Sequence, residues 1–235
     1  GIGLEFARAL ASEGMHLIIV ARDSKRLSQE TARLASEYGI DVTPISADLT
    51  CREELARVIQ TATTRDVSIF VNSAGFDVRG LYDGNDIVQL NNMTRLNVNA
   101  TLELTHHFSQ QMNARGRGAI ILLASLMGLL GVPYFAAYSA TKAFIQTLGE
   151  ALYVEARPRG VDVLTVAPGF TRTPFFDKID AEFDVSRMMV PMLDPAFVVE
   201  DALRSLGQRA TAIPHWRYRL VARLGRHAMT AVMVS

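Results

Sequence analysis

One cysteine, Cys51, is all the thiol chemistry in 235 residues. A lone thiol excludes a disulfide framework and a multi-cysteine zinc site within one chain. It stands beside a predicted helix start, where a small residue is ordinary. The five histidines are scattered, and the adjacent His106 and His107 point to different helix faces, so no metal site is expected. Formal net charge is zero, which argues against a nucleic-acid partner. No apolar run reaches the roughly 18 residues of a membrane span. No secretory leader opens the chain, so the expected location is cytoplasmic. Acidic residues are missing after Asp201. All 24 of them, and 18 of the 24 basic residues, precede Ala202, a net −6, whereas the rest carries six arginines.

Apolar residues make up 49% and charged residues 20%, a globular balance. Short apolar runs alternate with longer amphipathic stretches. Leu17–Val20, Val42–Ala47, Val67–Val71, Ala119–Leu123, Val161–Val166 and Thr211–Ile213 read as strands. Helical patterns lie near 4–14, 24–38, 51–64, 85–113, 137–157 and 195–208. Thr50-Cys51-Arg52-Glu53 has capping-box spacing. Strands apolar on both faces and separated by helices imply a parallel sheet covered on both sides. The expectation is a doubly wound α/β fold, a single domain over 1–235 ending in a basic helix at about 215–232.

Gly1-Ile2-Gly3 runs directly into an amphipathic helix. A glycine-rich helix start lets a pyrophosphate approach free N–H groups at the positive end of the dipole. The sharper signal is Tyr138-Ser139-Ala140-Thr141-Lys142. Residues i and i+4 share a helix face, so an ammonium stands near a phenol. A nearby cation lowers a phenol pKa of about 10 and suits it to proton transfer. Lys25, Lys142 and Lys178 are the chain's three lysines. A Lys at this place, in a chain that otherwise uses Arg, points to a need for a compact, mobile ammonium. Ser125 lies 13 residues before Tyr138, at the carboxyl end of a strand, where ligands bind in open α/β sheets.

Taken together these motifs resemble the short-chain dehydrogenase/reductase family, from Gly1 to about Ile213. The opening is similar to the second half of the family's Thr-Gly-x-x-x-Gly-Ile-Gly signature. On that resemblance the first strand is missing, and the natural chain starts roughly 10 residues earlier. The resemblance implies a Rossmann-like fold and a catalytic set of Asn97, Ser125, Tyr138 and Lys142. Thr105, eight residues after Asn97, supports that register over Asn99. It also implies cofactor contacts from Gly1, Ile2, Gly3, Asp48, Leu49, Asn72, Ala74, Gly75, Pro168, Gly169, Thr171 and Thr173, besides Tyr138 and Lys142. Asn72 is expected to tie neighbouring strands. Ser73 departs from the family's second Asn. At the ribose position after the first strand, Arg22 can fork onto a 2′-phosphate where a carboxylate would favour a free hydroxyl. That implies NADP rather than NAD, with Asp23 close by.

The implied activity is carbonyl reduction, or alcohol oxidation, of an apolar small molecule. Two readings stay open beside it: an epimerase- or dehydratase-like relative, and a non-catalytic NADP-binding scaffold. Pro174–Pro195, with Phe175, Phe176, Phe183, Met188, Met189 and Met192, reads as an apolar flap over substrate. In the last helix Arg219, Arg223 and Arg226 share a face beside Leu220 and Leu224, a pattern suited to an anionic membrane surface or to docking on its own domain. The family also implies a homodimer or homotetramer through the helices at 85–113 and 137–157.

Overall fold

β-Branched and aliphatic runs bounded by polar turns become parallel strands here. The computed structural model describes residues 1–174 and 190–232, with side chains as far as Gly225. Contacts gather these into two units, Gly3–Val67 and Gly1–Ile2 with Ser68 onward.

In the first unit, α1 (Ile2–Ser12), β1 (Leu17–Ala21), α2 (Ser24–Tyr38), β2 (Val42–Ser46) and α3 (Arg52–Thr63) alternate. β1 and β2 pair in parallel from Leu17↔Val42 to Ala21↔Ser46. α1 and α2 bury Ala7, Ala11 and Leu34 around Ile40, against Leu17, Ile19 and Val42. Asp23 starts α2 by accepting from the Arg26 N–H at 3.0 Å, a cap worth about 1 kcal/mol. Gly39 ends it in the left-handed region, φ 67°, where a Cβ would be strained. The capping box expected at Thr50 does not form. The N-cap of α3 is Cys51, without a side-chain cap. The Thr50 hydroxyl donates instead to Asp48 Oδ1 at 2.8 Å, a local turn that outcompetes the cap. Every residue of β1 is only half-buried, unlike the fully buried strand expected.

The second unit holds the parallel sheet β3 (Ile69–Asn72), β4 (Gly118–Leu123), β5 (Val161–Val166) and β6 (Thr211–Ala212), in that order. Ile120, Ile121 and Leu122 of β4 and Val163, Leu164 and Val166 of β5 are buried. Such continuous apolar runs are what a sheet covered on both faces needs. Around it run α4 (Ile87–Thr94), α5 (Thr101–Arg115), α6 (Ala136–Ala156), α7 (Pro195–Ser205) and α8 (Trp216–Val232). The single helix expected over 85–113 is in fact three pieces: α4, a π-helical turn over Arg95–Ala100, and α5. A π-turn inserts a residue and re-aims the side chains it carries; here it carries Asn97. The parallel, Rossmann-like α/β architecture is the one expected. Among the described residues no helix is long and apolar enough to cross a membrane.

Candidate active site

Parallel strands deliver their carboxyl ends to one edge, and β4 and β5 deliver Ser125 and Pro168. The Ala124 N–H donates to the Val166 carbonyl at 2.8 Å and the Leu126 N–H to the Pro168 carbonyl at 3.0 Å. Ser125 is therefore pinned between two backbone bonds beside the Pro168-Gly169 turn. Its Oγ accepts from the Met127 N–H at 3.2 Å, and its side chain is also hydrogen-bonded to Tyr138.

α6 presents Tyr138, Thr141 and Lys142 from its first two turns. Lys142 is 6% exposed. Its Nζ donates to the Leu123 carbonyl at 2.8 Å and stands 5.7 Å from the Tyr138 ring centroid. Ser125, Tyr138 and Lys142 thus meet as predicted. The electrostatics differ from the sequence reading. Burial holds the Tyr138 phenol well above its ordinary value, the Ser125 hydrogen bond pulls it down, and the Asp77 charge pushes it up. Burial also pushes the Lys142 amine down to about 8. Two groups desolvated together lose more as ions than one turn of helix returns through their attraction.

Asn97, 0% exposed, locks the loop after β3. Its Oδ1 accepts from the Phe76 N–H at 3.1 Å, while its Nδ2 donates to the Phe76 carbonyl at 2.9 Å and to Thr141 Oγ1 at 3.1 Å. Thr141 in turn donates to the Tyr138 carbonyl at 2.8 Å. α6 and the Gly75 loop are therefore joined through one amide. Asn72 pairs with Leu122 of β4 through its backbone, and its side chain reaches a helix: Nδ2 donates to Thr101 Oγ1 of α5 at 2.7 Å. β3 ends at Asn72, and α5 lies within its reach.

The donor set fits a dinucleotide's ribose. A Cβ at Gly75 would lie 3.0 Å from Asn97 Oδ1 and 3.4 Å from Lys142 Nζ, so only a bare backbone keeps that approach open. An ammonium has three donors, and Leu123 takes one of them. Ala74, beside Gly75, is half-buried. Thr171 and Thr173 follow the Gly169 turn; their hydroxyls donate to the Gly169 and Thr171 carbonyls at 3.0 and 3.3 Å. A Cβ at Gly1 would lie 3.7 Å from Thr173.

Within the other unit, Arg22 follows β1 and is exposed, and Asp48 and Leu49 follow β2 and are half-buried. The Thr50 N–H, bonded to Asp48 Oδ1 at 2.9 Å, holds that carboxyl below its usual range; the Thr50 hydroxyl and the Arg22 charge act in the same direction.

Asp77 and Arg79 escaped the sequence reading. Their ion pair, Nε to Oδ2 at 3.2 Å, follows Gly75, and Val78 between them packs in one cluster with Tyr138, Phe135 and Met93. A loop pair of opposite charges two residues apart carries no motif that would single it out. Of the expected flap, Phe175, Phe176, Phe183, Met188 and Met189 lie outside the described residues, and Met192 is exposed.

The profile of the short chain dehydrogenase family matches residues 1–183. The 7beta-hydroxysteroid dehydrogenase of Clostridium sardiniense is 29% identical over 211 residues, 90% of this chain and 80% of that protein. The very-long-chain 3-oxoacyl-CoA reductase of Meyerozyma guilliermondii is 29% identical over 236 residues, covering 93% of this chain and 67% of that protein. Among solved structures, a short-chain dehydrogenase from Sphingobium yanoikuyae in complex with NADPH superposes with a TM-score of 0.84 at 30% identity, over 100% of this chain and 92% of that one. The chain belongs to the short chain dehydrogenase family, as an oxidoreductase acting on CH–OH groups with a nicotinamide cofactor.

Proposed function

We propose that the protein is an NADP(H)-dependent carbonyl reductase of an apolar small molecule, reversible as an alcohol dehydrogenase. The observation that carries this reading is the convergence of Ser125 and Lys142 on one buried phenol, Tyr138. The nicotinamide, when bound, supplies the hydride that a carbonyl carbon accepts. Ser125 Oγ orients the carbonyl oxygen. Tyr138 Oη donates its proton to that oxygen as charge develops, completing the alcohol. Its burial keeps the phenol protonated at neutral pH, the state that reduction needs. Lys142 holds ribose hydroxyls with its remaining donors, and Asn97 fixes the Gly75 loop and supports a water relay to the ammonium. A scaffold has no need of this arrangement.

For NADP, the support is Arg22. Asp23, the competing carboxylate, is occupied as the cap of α2, and Arg22 stands exposed where a 2′-phosphate would be read. The NADPH held by the Sphingobium yanoikuyae relative points the same way. The steroid and long-chain acyl names among the relatives favour a bulky apolar substrate.

Two associations accompany this reading. The outer side of α8 exposes Trp216, Leu220 and Leu224 beside Arg217, Arg219 and Arg223, a surface suited to peripheral contact with an anionic bilayer. A homodimer or homotetramer would use α5 and α6. A groove of about 440 Å³ runs there, lined by Leu102, His106, Leu148 and Leu152, with Val154 exposed on α6. Screening the protein against bulky ketones, steroids and 3-oxoacyl thioesters, with NADPH absorbance as readout, tests the activity. Tight NADPH binding with no turnover across that panel would return the protein to the scaffold reading, and turnover of a sugar nucleotide alone would make it an epimerase-like relative.

A further inference from the structure

One phenol fastens the backbone after Gly169 to a second stretch of chain. Tyr218, in the first turn of α8, is 0% exposed. Its ring lies so close on Gly169 that any Cβ there would fall inside it. Its hydroxyl accepts from the Phe170 N–H at 3.1 Å and donates to the Pro191 carbonyl at 2.7 Å. Beside it the Leu193 N–H donates to the Phe170 carbonyl at 2.8 Å, and the Arg172 N–H donates to the Leu193 carbonyl at 2.9 Å. Those bonds make the Thr171↔Leu193 bridge. On its other side the turn is tied to the Ser125 loop by the Leu126 N–H on the Pro168 carbonyl.

The helix that carries Tyr218 is aimed by its entry. His215 adopts φ 76°, a conformation unusual for a residue with a Cβ. Its ring meets Tyr218 edge-on, centroids 6.4 Å apart. Three turns along α8 are at work rather than one contact: Gly225 packs on Leu130, where a Cβ would lie 2.9 Å from Leu130 Cδ2. Leu130 belongs to the loop between Ser125 and Tyr138. The same helix therefore touches both the serine loop and the Gly169 turn.

We propose that Tyr218 is a positioning residue of the active site, fixing the Gly169–Phe170 turn through its ring and both hydrogen bonds of its hydroxyl, so that α8 sets the wall beside the cofactor. The phenol is specific to the task. A phenylalanine would fill the same space but leave the Phe170 N–H and the Pro191 carbonyl without this partner in a buried place. A turn freed by a fraction of an ångström costs more in the reacting geometry than in the grip on the rest of a large ligand. The activity arm of the test rests on the hydride-transfer reading above; the exchange arm does not.

The test is Tyr218→Phe, measured per folded molecule well below its melting temperature. The expected result is a fall in kcat of about fivefold or more with NADPH affinity within about twofold, together with a larger isotope effect from deuterated NADPH. A merely structural residue would lower Tm and leave kcat, KM and isotope effect at wild-type values, and that result overturns the proposal. Glu200→Gln, at an exposed ion pair of α7, serves as the control that leaves kcat unchanged. In the wild-type protein the Phe170 amide should exchange with solvent slowly, and about tenfold faster in Tyr218→Phe while the β4 amides hold their rates. A Phe170 amide that exchanges at open-loop rates in the wild type overturns the proposal even where the variant does not fold. A wild type that reduces no ketone refutes the activity reading and leaves exchange to decide on Tyr218.

Discussion

The Lys142 ammonium stands over the Tyr138 ring, 5.7 Å from its centroid, and donates to the Leu123 carbonyl at 2.8 Å. A cation over an aromatic face is attracted by the ring quadrupole. Both groups are buried, so the attraction acts with little screening, yet burial moves each toward its neutral form. Burial thereby favours the protonated phenol.

Replacing Tyr138 by Phe removes the proton donor and keeps the ring in its cluster. Turnover should fall by about 10²–10⁴-fold, the usual worth of a positioned general acid. NADPH affinity and Tm should stay near wild type, read by cofactor fluorescence and thermal melting. Full retention of kcat would refute the assignment of Tyr138.

Lys142 makes stability depend on pH. Its amine is pushed from 10.5 down to about 8 in the folded protein. Between these values the unfolded chain binds a proton that the native state does not, so the lysine's contribution to stability rises with pH across that window. Below about 8 both states carry the proton and the cost of burying it is at its largest. The swing is on the order of 3 kcal/mol. Urea unfolding at pH 7, 8.5 and 10 should show Lys142→Met lacking this rise, so the gap between variant and wild type changes with pH. Parallel curves would mean the ammonium is solvated in the folded protein.

Asp77 raises the Tyr138 phenol through its charge. Asp77→Asn removes that charge and leaves Arg79, its partner at 3.2 Å, uncompensated. Both changes favour phenolate. The limb of the pH–rate profile for alcohol oxidation that reports Tyr138 should therefore move to lower pH, while reduction at neutral pH, where burial still keeps the phenol protonated, stays close to wild type. A limb that stays in place or moves upward would remove Asp77 from the tuning of Tyr138.

Arg22→Asp replaces a phosphate fork by a carboxylate. The ratio of kcat/KM for NADPH over NADH should fall by about 10²-fold or more, since a charge-assisted bond is lost and a repulsion is gained. An unchanged ratio would show that Arg22 does not read the ribose.

Secondary structure and the central triad were legible in the sequence because both rest on short-range order. Alternation of apolar runs places β4 and β5 to within a residue, and a four-residue spacing is enough to bring Lys142 beside Tyr138. Chain order alone also puts Ser125 at a strand's carboxyl end. What could not be read there depends on burial and on partners distant in sequence. The π-turn around Asn97 splits a helix that periodicity joins. The Asn72 side chain finds Thr101, 29 residues away on a helix. The direction of the Tyr138 shift is decided by how completely α6 is covered, a property of packing and not of spacing. Tyr218 is a buried latch on a turn 48 residues upstream, yet in the sequence it is one aromatic in a basic helix. Local pattern determined which elements form and which side chains share a face; only the tertiary structure decided which of those side chains lose water, and desolvation is what sets the acidity of a group and the value of its hydrogen bonds.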